Sequence, residues 1–97
     1  MKVRDLLTRL STVDPEAVVL YLDEYADACD AAEIKEIVVP DERWTCERHE
    51  STDGRFEEVH HPTGHGLSVG WNGATDTRRQ ESGVVISTGP TNLRYLR

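Results

Sequence analysis

The sequence has no long apolar run and only two cysteines among its 97 residues. Hydrophobic residues make up 37% of the chain, and no stretch approaches the roughly 20 apolar residues that span a membrane. We therefore expect no membrane association. Charged residues near the start interrupt any signal-peptide core, which makes the cytoplasm the expected location. In that reducing compartment, Cys29 and Cys46 are expected to be free thiols.

The sequence also lacks the short motifs that mark common enzymes and cofactor sites. It has no Gly-x-Ser-x-Gly nucleophile elbow, no phosphate-binding loop and no dinucleotide fingerprint. These absences favour a protein that is not an enzyme and that carries no cofactor.

Negative charge is concentrated in the middle of the chain. Residues 14–50 carry twelve acidic residues against Lys35, Arg43 and Arg48, and the whole chain has a net charge of −7. Such a surface repels nucleic acid, so no nucleic-acid partner is expected. It either solubilises the protein or docks on a basic protein partner. The acidic residues expected to contact such a partner are Asp23, Glu24, Asp27 and Asp30.

The same acidic segment does not have the spacing of a calcium-binding loop. Counted from Asp23, Ala28 stands where the loop needs glycine, and Ile34 stands where it needs the last glutamate. The segment is therefore interpreted as a connector, with a short helical turn at Asp30–Lys35.

The first part of the chain carries the clearest secondary-structure signals. Val3, Leu6, Leu7 and Leu10 occupy the i, i+3, i+4 and i+7 positions of one helix face, which predicts a helix over Val3–Leu10. A Pro-containing turn follows. The segment Ala17–Leu22 is apolar on both faces, which predicts a buried central strand.

Shorter apolar or alternating segments predict the rest of a sheet. Further strands are predicted at Glu36–Val39, Arg43–Glu50, Arg55–His61, Leu67–Trp71 and Val84–Ser87, with an exposed loop over Ala74–Gly83 and a tail over 92–97. The predicted fold class is α+β. One N-terminal helix packs on a mostly antiparallel sheet of five to six strands, in a single domain over residues 1–97.

A cysteine and all four histidines of the chain lie close together in sequence, which offers zinc binding as the alternative function. They are Cys46, His49, His60, His61 and His65, and the ligand set considered is Cys46, His49, His61 and His65. The Asp-Gly turn predicts a hairpin here. Loops of two or four residues both place Cys46 with His61 on one face, and His49 with His60 on the other. Neither face then closes a four-ligand site.

The two tryptophans lie on predicted strands. Trp44 and Trp71 are expected either to pack on the sheet or, where exposed, to anchor a binding surface. An exposed sheet edge also offers a route to a homodimer.

The opening of the chain resembles small proteins of bacteriophages and prophages. These begin with Met-Lys-Val, an acidic-Leu pair and a further leucine, then Pro-x-Ala-x-Val and two apolar strands. The matching residues are Met1-Lys2-Val3, Asp5-Leu6, Leu10, Pro15-Glu16-Ala17-Val18-Val19, Ile34, Ile37 and Val38. The resemblance covers roughly the first forty residues and implies a phage setting, in which small acidic proteins often bind a host protein such as a defence factor. It assigns no functional residues.

Overall fold

The computed structural model describes residues 1–93 of the chain. Its fold class is α+β, as predicted: one α-helix and seven short strands lie in the described part. The strands do not form the expected single sheet of five to six strands. They form three separate antiparallel sheets, two of two strands and one of three. The helix is α1, Val3–Leu10; the strands are β1 Leu20–Tyr21, β2 Ala32–Glu33, β3 Glu36–Val38, β4 Trp44–Glu50, β5 Phe56–Pro62, β6 Thr77–Glu81 and β7 Val85–Ser87.

The chain forms two compact units. The first unit comprises Met1–Val38 and Val84–Arg97, and the second comprises Val39–Gly83. The single-domain organisation stays a prediction, because compactness alone does not define a domain that folds independently.

Helix α1 begins and ends at the predicted residues. The Lys2 backbone N–H donates to the Asp5 carboxylate at 2.9 Å, which caps the first turn. Asp5 in the first turn and Arg9 in the last complement the helix dipole. The prediction that the helix packs on a sheet is wrong, because none of its residues is buried. The helix is amphipathic, but its apolar face stays exposed.

The two small sheets of the first unit are shorter than the apolar pattern predicts. β1 pairs with β2 through Leu20–Glu33 and Tyr21–Ala32, so it is not the predicted central strand over Ala17–Leu22. β2 and a 3₁₀ turn at Ala28–Asp30 also replace the helical turn predicted at Asp30–Lys35. β3 pairs with β7, close to two predicted strands. No strand residue of these two sheets is buried, and one face of the β3–β7 ladder is half-buried.

The second unit is built on a three-stranded sheet in the order β5-β4-β6. The β4–β5 hairpin forms as predicted, and Gly54 supplies a φ of 84° in its turn. The register differs from both predicted loops, because Cys46 lies opposite His60. This shift of one residue moves each side chain to the other face.

The third strand of this sheet lies where a loop was predicted. β6 has no apolar periodicity, but its backbone pairs with the open edge of β4, with Arg79 opposite Cys46. The strand predicted at Leu67–Trp71 does not form, and the segment is turn and irregular structure. One reason is that the Ser68 N–H donates to the Glu47 carboxylate at 3.0 Å and is not available for a ladder.

Few residues are buried in the described part of the chain, and all of them lie in the second unit. Cys46 is the buried hydrophobic residue, beside the polar residues Thr45, Glu47 and Asp76. Within residues 1–93, no helix has the length and apolar character needed to cross a membrane.

Candidate functional site

Alternation along β4 sends two different groups of side chains to the two faces of the three-stranded sheet. One face carries what we call the carboxylate–histidine network: Glu47, His49, His61, Ser68 and Asp76. The other carries what we call the thiol cluster: Cys46, Glu58 and His60. The two groups interleave along the strands but face opposite directions.

Glu47 is the centre of the network and is fully buried. Its Oε2 atom accepts hydrogen bonds from the Ser68 backbone N–H at 3.0 Å, from Ser68 Oγ at 2.9 Å and from His61 Nε2. Its Oε1 atom lies 3.1 Å from His49 Nε2, but the ring is not aligned to donate. One oxygen is therefore saturated, while the other has only an electrostatic contact within the described residues.

Asp76 holds the far side of His49. Its Oδ2 atom accepts from His49 Nδ1 and from the Asn72 N–H, each at 2.8 Å. Its Oδ1 atom accepts from the Glu50 N–H at 3.2 Å and from Thr75 Oγ1 at 3.1 Å. Both oxygens are used, so Asp76 ties the turn after Asn72 to the end of β4.

The network shifts the pKa values of Glu47, Asp76 and His61. Burial alone would raise the pKa of Glu47, but hydrogen bonds from His61 and Ser68 lower it. The backbone N–H of Asn72 and the His49 ring lower the pKa of Asp76. Hydrogen bonds to the Pro62 carbonyl and to Glu47 raise the pKa of His61. At neutral pH both carboxylates are ionised and accept hydrogen bonds from the residues around them.

The thiol cluster brings three metal-ligating residue types together. Cys46 and His60 are direct cross-strand partners, and Glu58 lies two residues before His60 on the same face. One ligand atom from each residue falls within 4.8 Å of the other two. The Cys46 thiol lies 3.7 Å from Glu58 Oε2, and His60 Nδ1 contacts Glu81 Oε1.

Arg79 closes the thiol cluster on the β6 side. Its Nη2 atom donates to Glu58 Oε2 at 3.5 Å, and this contact lowers the pKa of Glu58. Burial raises the pKa of the Cys46 thiol, which the nearby Arg79 guanidinium partly opposes. Cys46 is a buried thiol next to charged groups, unlike most free cysteines, which pack as small apolar residues.

The zinc ligands proposed from the sequence are divided by the observed register. Cys46 lies in the thiol cluster, whereas His49 and His61 lie in the network on the opposite face. His65 is exposed at the end of a 3₁₀ turn. The expectation that Cys46 and His61 share a face, with His49 and His60 on the other, is therefore wrong. Cys46 shares its face with His60.

The residues proposed for partner binding lie in both units. Asp23, Glu24, Asp27 and Asp30 are exposed in the first unit. Trp44 and Trp71 are half-buried in the second unit, and Trp71 contacts the His49 ring edge-to-face at a centroid distance of 6.1 Å. Both cysteines are free, as predicted: Cys29 is exposed and Cys46 is buried.

Some residues that stand out in the structure had no clear sequence signal. Glu58 and Glu81 look like ordinary surface glutamates, and Asp76 lies in a polar segment without periodicity. Ser68 lies in the alternating segment that predicted a strand, which gave no sign of its contact with Glu47. Tyr25 has a φ of 62° and is 97% exposed. The sequence signal that could have drawn attention to Tyr25 was its position inside an acidic segment. No protein-family model, curated protein or solved structure matches this chain.

Proposed function

We propose that this chain is a non-enzymatic protein-binding module whose first unit docks on a basic protein partner with an apolar groove. The observation that carries the proposal is the exposure of the first unit's large apolar side chains. None of its described residues is buried. Exposed apolar surface on this scale is typical of an interaction site.

Helix α1 has the residue spacing of a groove-binding helix. Val3, Leu6, Leu7 and Leu10 lie on one face and are between 41% and 65% exposed. A helix that inserts into an apolar groove uses anchors at i, i+3, i+4 and i+7, which is the spacing of these four residues. The groove of the partner would supply the core that α1 lacks.

A second exposed apolar segment lies in the same unit. The five consecutive residues Val18–Leu22 are between 46% and 62% exposed. The two-residue ladder between β1 and β2 leaves them in solvent. Burying them against a partner would offset the entropy cost of ordering so short a sheet.

The charge of the first unit predicts that its partner is basic. We call residues 14–38 the acidic connector. Residues 14–38 contain eight acidic residues against Lys35 alone. Tyr25 lies in this segment, and its backbone has a left-handed conformation. An exposed tyrosine among carboxylates has the character of an interface anchor, and the carboxylates would steer a basic surface towards it. A second copy of this chain is a poorer occupant because the two acidic connectors repel each other.

The resemblance to small phage and prophage proteins supports a setting for this activity. We propose that the partner is a host protein, such as a defence factor, whose activity changes when the first unit docks on it. Phage structural or regulatory genes beside the coding sequence would support this setting, and a conserved chromosomal operon without phage genes would argue against it.

The test captures partners with a tagged chain and then measures affinity with each purified partner. Leu7→Asp places a carboxylate in the proposed groove contact, and Val69→Asp makes the same change at a fully exposed apolar residue of the second unit. We expect Leu7→Asp to weaken binding more than about tenfold, as hot-spot substitutions do. Val69→Asp should bind like the unchanged protein.

Two further variants test the acidic connector. Tyr25→Asn removes the ring but keeps a residue that tolerates the left-handed backbone, so the turn should persist. Replacing Asp23, Glu24, Asp27 and Asp30 by lysine should reverse the charge preference and weaken binding most at low salt. A partner whose affinity is unchanged by Leu7→Asp and by the charge reversal would overturn the proposal. A particle of twice the 10.9 kDa chain mass in light scattering would favour self-association instead.

A further inference from the structure

The thiol cluster is a second feature that the proposed binding function does not use. Cys46 is fully buried, yet its neighbours include the polar side chains of Glu58, His60 and Arg79. A sulfur, a carboxylate oxygen and an imidazole nitrogen that converge within 4.8 Å form a mixed donor set. We propose that Cys46, Glu58 and His60 bind a zinc ion.

The distance between two of these atoms fits a tetrahedral ion. Zinc binds thiolate sulfur at about 2.3 Å and carboxylate oxygen at about 2.1 Å, which separates the two ligand atoms by about 3.6 Å. The Cys46 sulfur lies 3.7 Å from Glu58 Oε2. The ion can therefore enter between them with little movement of the backbone.

The strand pairing explains why these three residues meet. Cys46 lies opposite His60, so their side chains leave the sheet as neighbours, and Glu58 is two residues away on the same face. Glu81 on β6 contacts the His60 ring. A carboxylate at the ring of a metal-binding histidine fixes its orientation and raises its basicity. Glu81 is therefore a positioning residue.

Arg79 competes with the metal. Its guanidinium donates to Glu58 Oε2, the oxygen nearest to the Cys46 sulfur. About half of its side chain is exposed, so it can turn towards solvent when the ion arrives. Removal of this cation should strengthen zinc binding, whereas a purely structural Arg79–Glu58 ion pair would give no such gain.

The network on the opposite face does not form this kind of site. Among residues 1–93, three such ligand atoms lie within 4.8 Å of one another in the thiol cluster and in an exposed group of Asp27, Cys29 and Asp30. His49 and His61 are each engaged with Glu47. The exposed group also contains a cysteine, so Cys29 provides a matched control.

The test is a titration of the purified chain with Co²⁺, followed by displacement with Zn²⁺. A thiolate ligand gives cobalt a charge-transfer band in the near ultraviolet, and tetrahedral coordination gives visible bands. We expect one equivalent of Co²⁺ to produce both signals and Zn²⁺ to remove them. Cys46→Ser should abolish the charge-transfer band, whereas Cys29→Ser should leave it unchanged.

Other variants test the remaining ligands and guard against misfolding. His60→Gln and Glu58→Gln should each weaken Co²⁺ binding at least about tenfold. Glu81→Gln should weaken it less than either of these two variants, because Glu81 acts through His60. Arg79→Gln should tighten it severalfold, and circular dichroism checks that each variant folds. Absence of a band in the unchanged chain, or a band that depends on Cys29, would overturn the proposal. An unchanged affinity in Arg79→Gln would contradict the competition between Arg79 and the metal.

Discussion

The two units of this chain are ordered by different means. In the second unit, a fully buried glutamate, a buried aspartate and two histidines pair with one another on one face of a three-stranded sheet. In the first unit, a helix and two small sheets expose most of their large apolar side chains. The second unit is polar inside, and the first is apolar outside.

This difference shows that the apolar pattern alone does not tell where the buried residues of a small protein lie. The most apolar segment, Val18–Leu22, belongs to the unit in which none of the described residues is buried. The centre of the second unit is Glu47, a residue that is rarely buried unless it is paired. The first unit leaves apolar side chains exposed, whereas the second unit buries polar groups and pairs all but a few of them within the described residues.

Removal of the Glu47 carboxylate should have the largest effect. Glu47→Ala would leave His61 and the Ser68 donors without their acceptor and would open space at a fully buried position. We expect the melting midpoint of the second unit to fall by roughly 10 °C or more. Hydrogen exchange would show the loss as faster exchange of the β4 amides, with little change at β1 and β2.

The matched control for this change is Glu57→Ala on β5, at an exposed position of the same hairpin. It removes the same side chain without opening the buried network, and should shift the midpoint by only a few degrees. Equal losses in the two variants would mean that burial of Glu47 contributes nothing particular to the second unit.

The local elements were the part of the fold that the sequence predicted well. The limits of α1 followed from four apolar residues at helical spacing, and the β4–β5 hairpin followed from the Asp53-Gly54 turn between two predicted strands. Both signals depend on residues close in sequence. Such signals do not depend on which distant segments pair. These two predictions were therefore correct although the predicted sheet was wrong.

The pairing of distant segments could not be predicted in the same way. β6 is polar and joins the sheet through its backbone, which leaves no pattern in the side chains. The hairpin loop differs by one residue from either expected length, which shifts the register. As a result Cys46 has His60 beside it, and not His61 as expected. The thiol cluster could therefore be recognised only in part, through Cys46 and the density of histidines.

The pH dependence of stability should distinguish the polar interior of the second unit. The pKa of His61 is raised, so its stabilising contribution is fully present below about pH 6.5 and is lost as the pH rises through the folded value. The pKa values of Glu47 and Asp76 are lowered, so their contribution is present above about pH 4.5 and is lost as the pH falls through the folded values. Thermal melts should therefore show maximal stability between about pH 4.5 and 6.5.

A histidine variant separates the alkaline part of this profile from general effects of charge. His61→Gln cannot titrate and should flatten the loss of stability above about pH 6.5. His65→Gln changes an exposed histidine of the same unit and should leave the profile as it is. A profile that His61→Gln does not alter would show that the Glu47–His61 pair does not set the alkaline limb.

The smallest effect is expected at the apolar face of α1. Leu6→Ala removes a large side chain that is 41% exposed and replaces it with the best helix former. The free energy of unfolding, measured by urea titration, should change by no more than about 0.5 kcal/mol. A buried leucine would lose roughly 2–5 kcal/mol by the same change. A loss in that range would mean that α1 packs on apolar surface in the free protein. If the loss grew with protein concentration, the surface would belong to a second copy of the chain, and the contrast between the units would disappear on association.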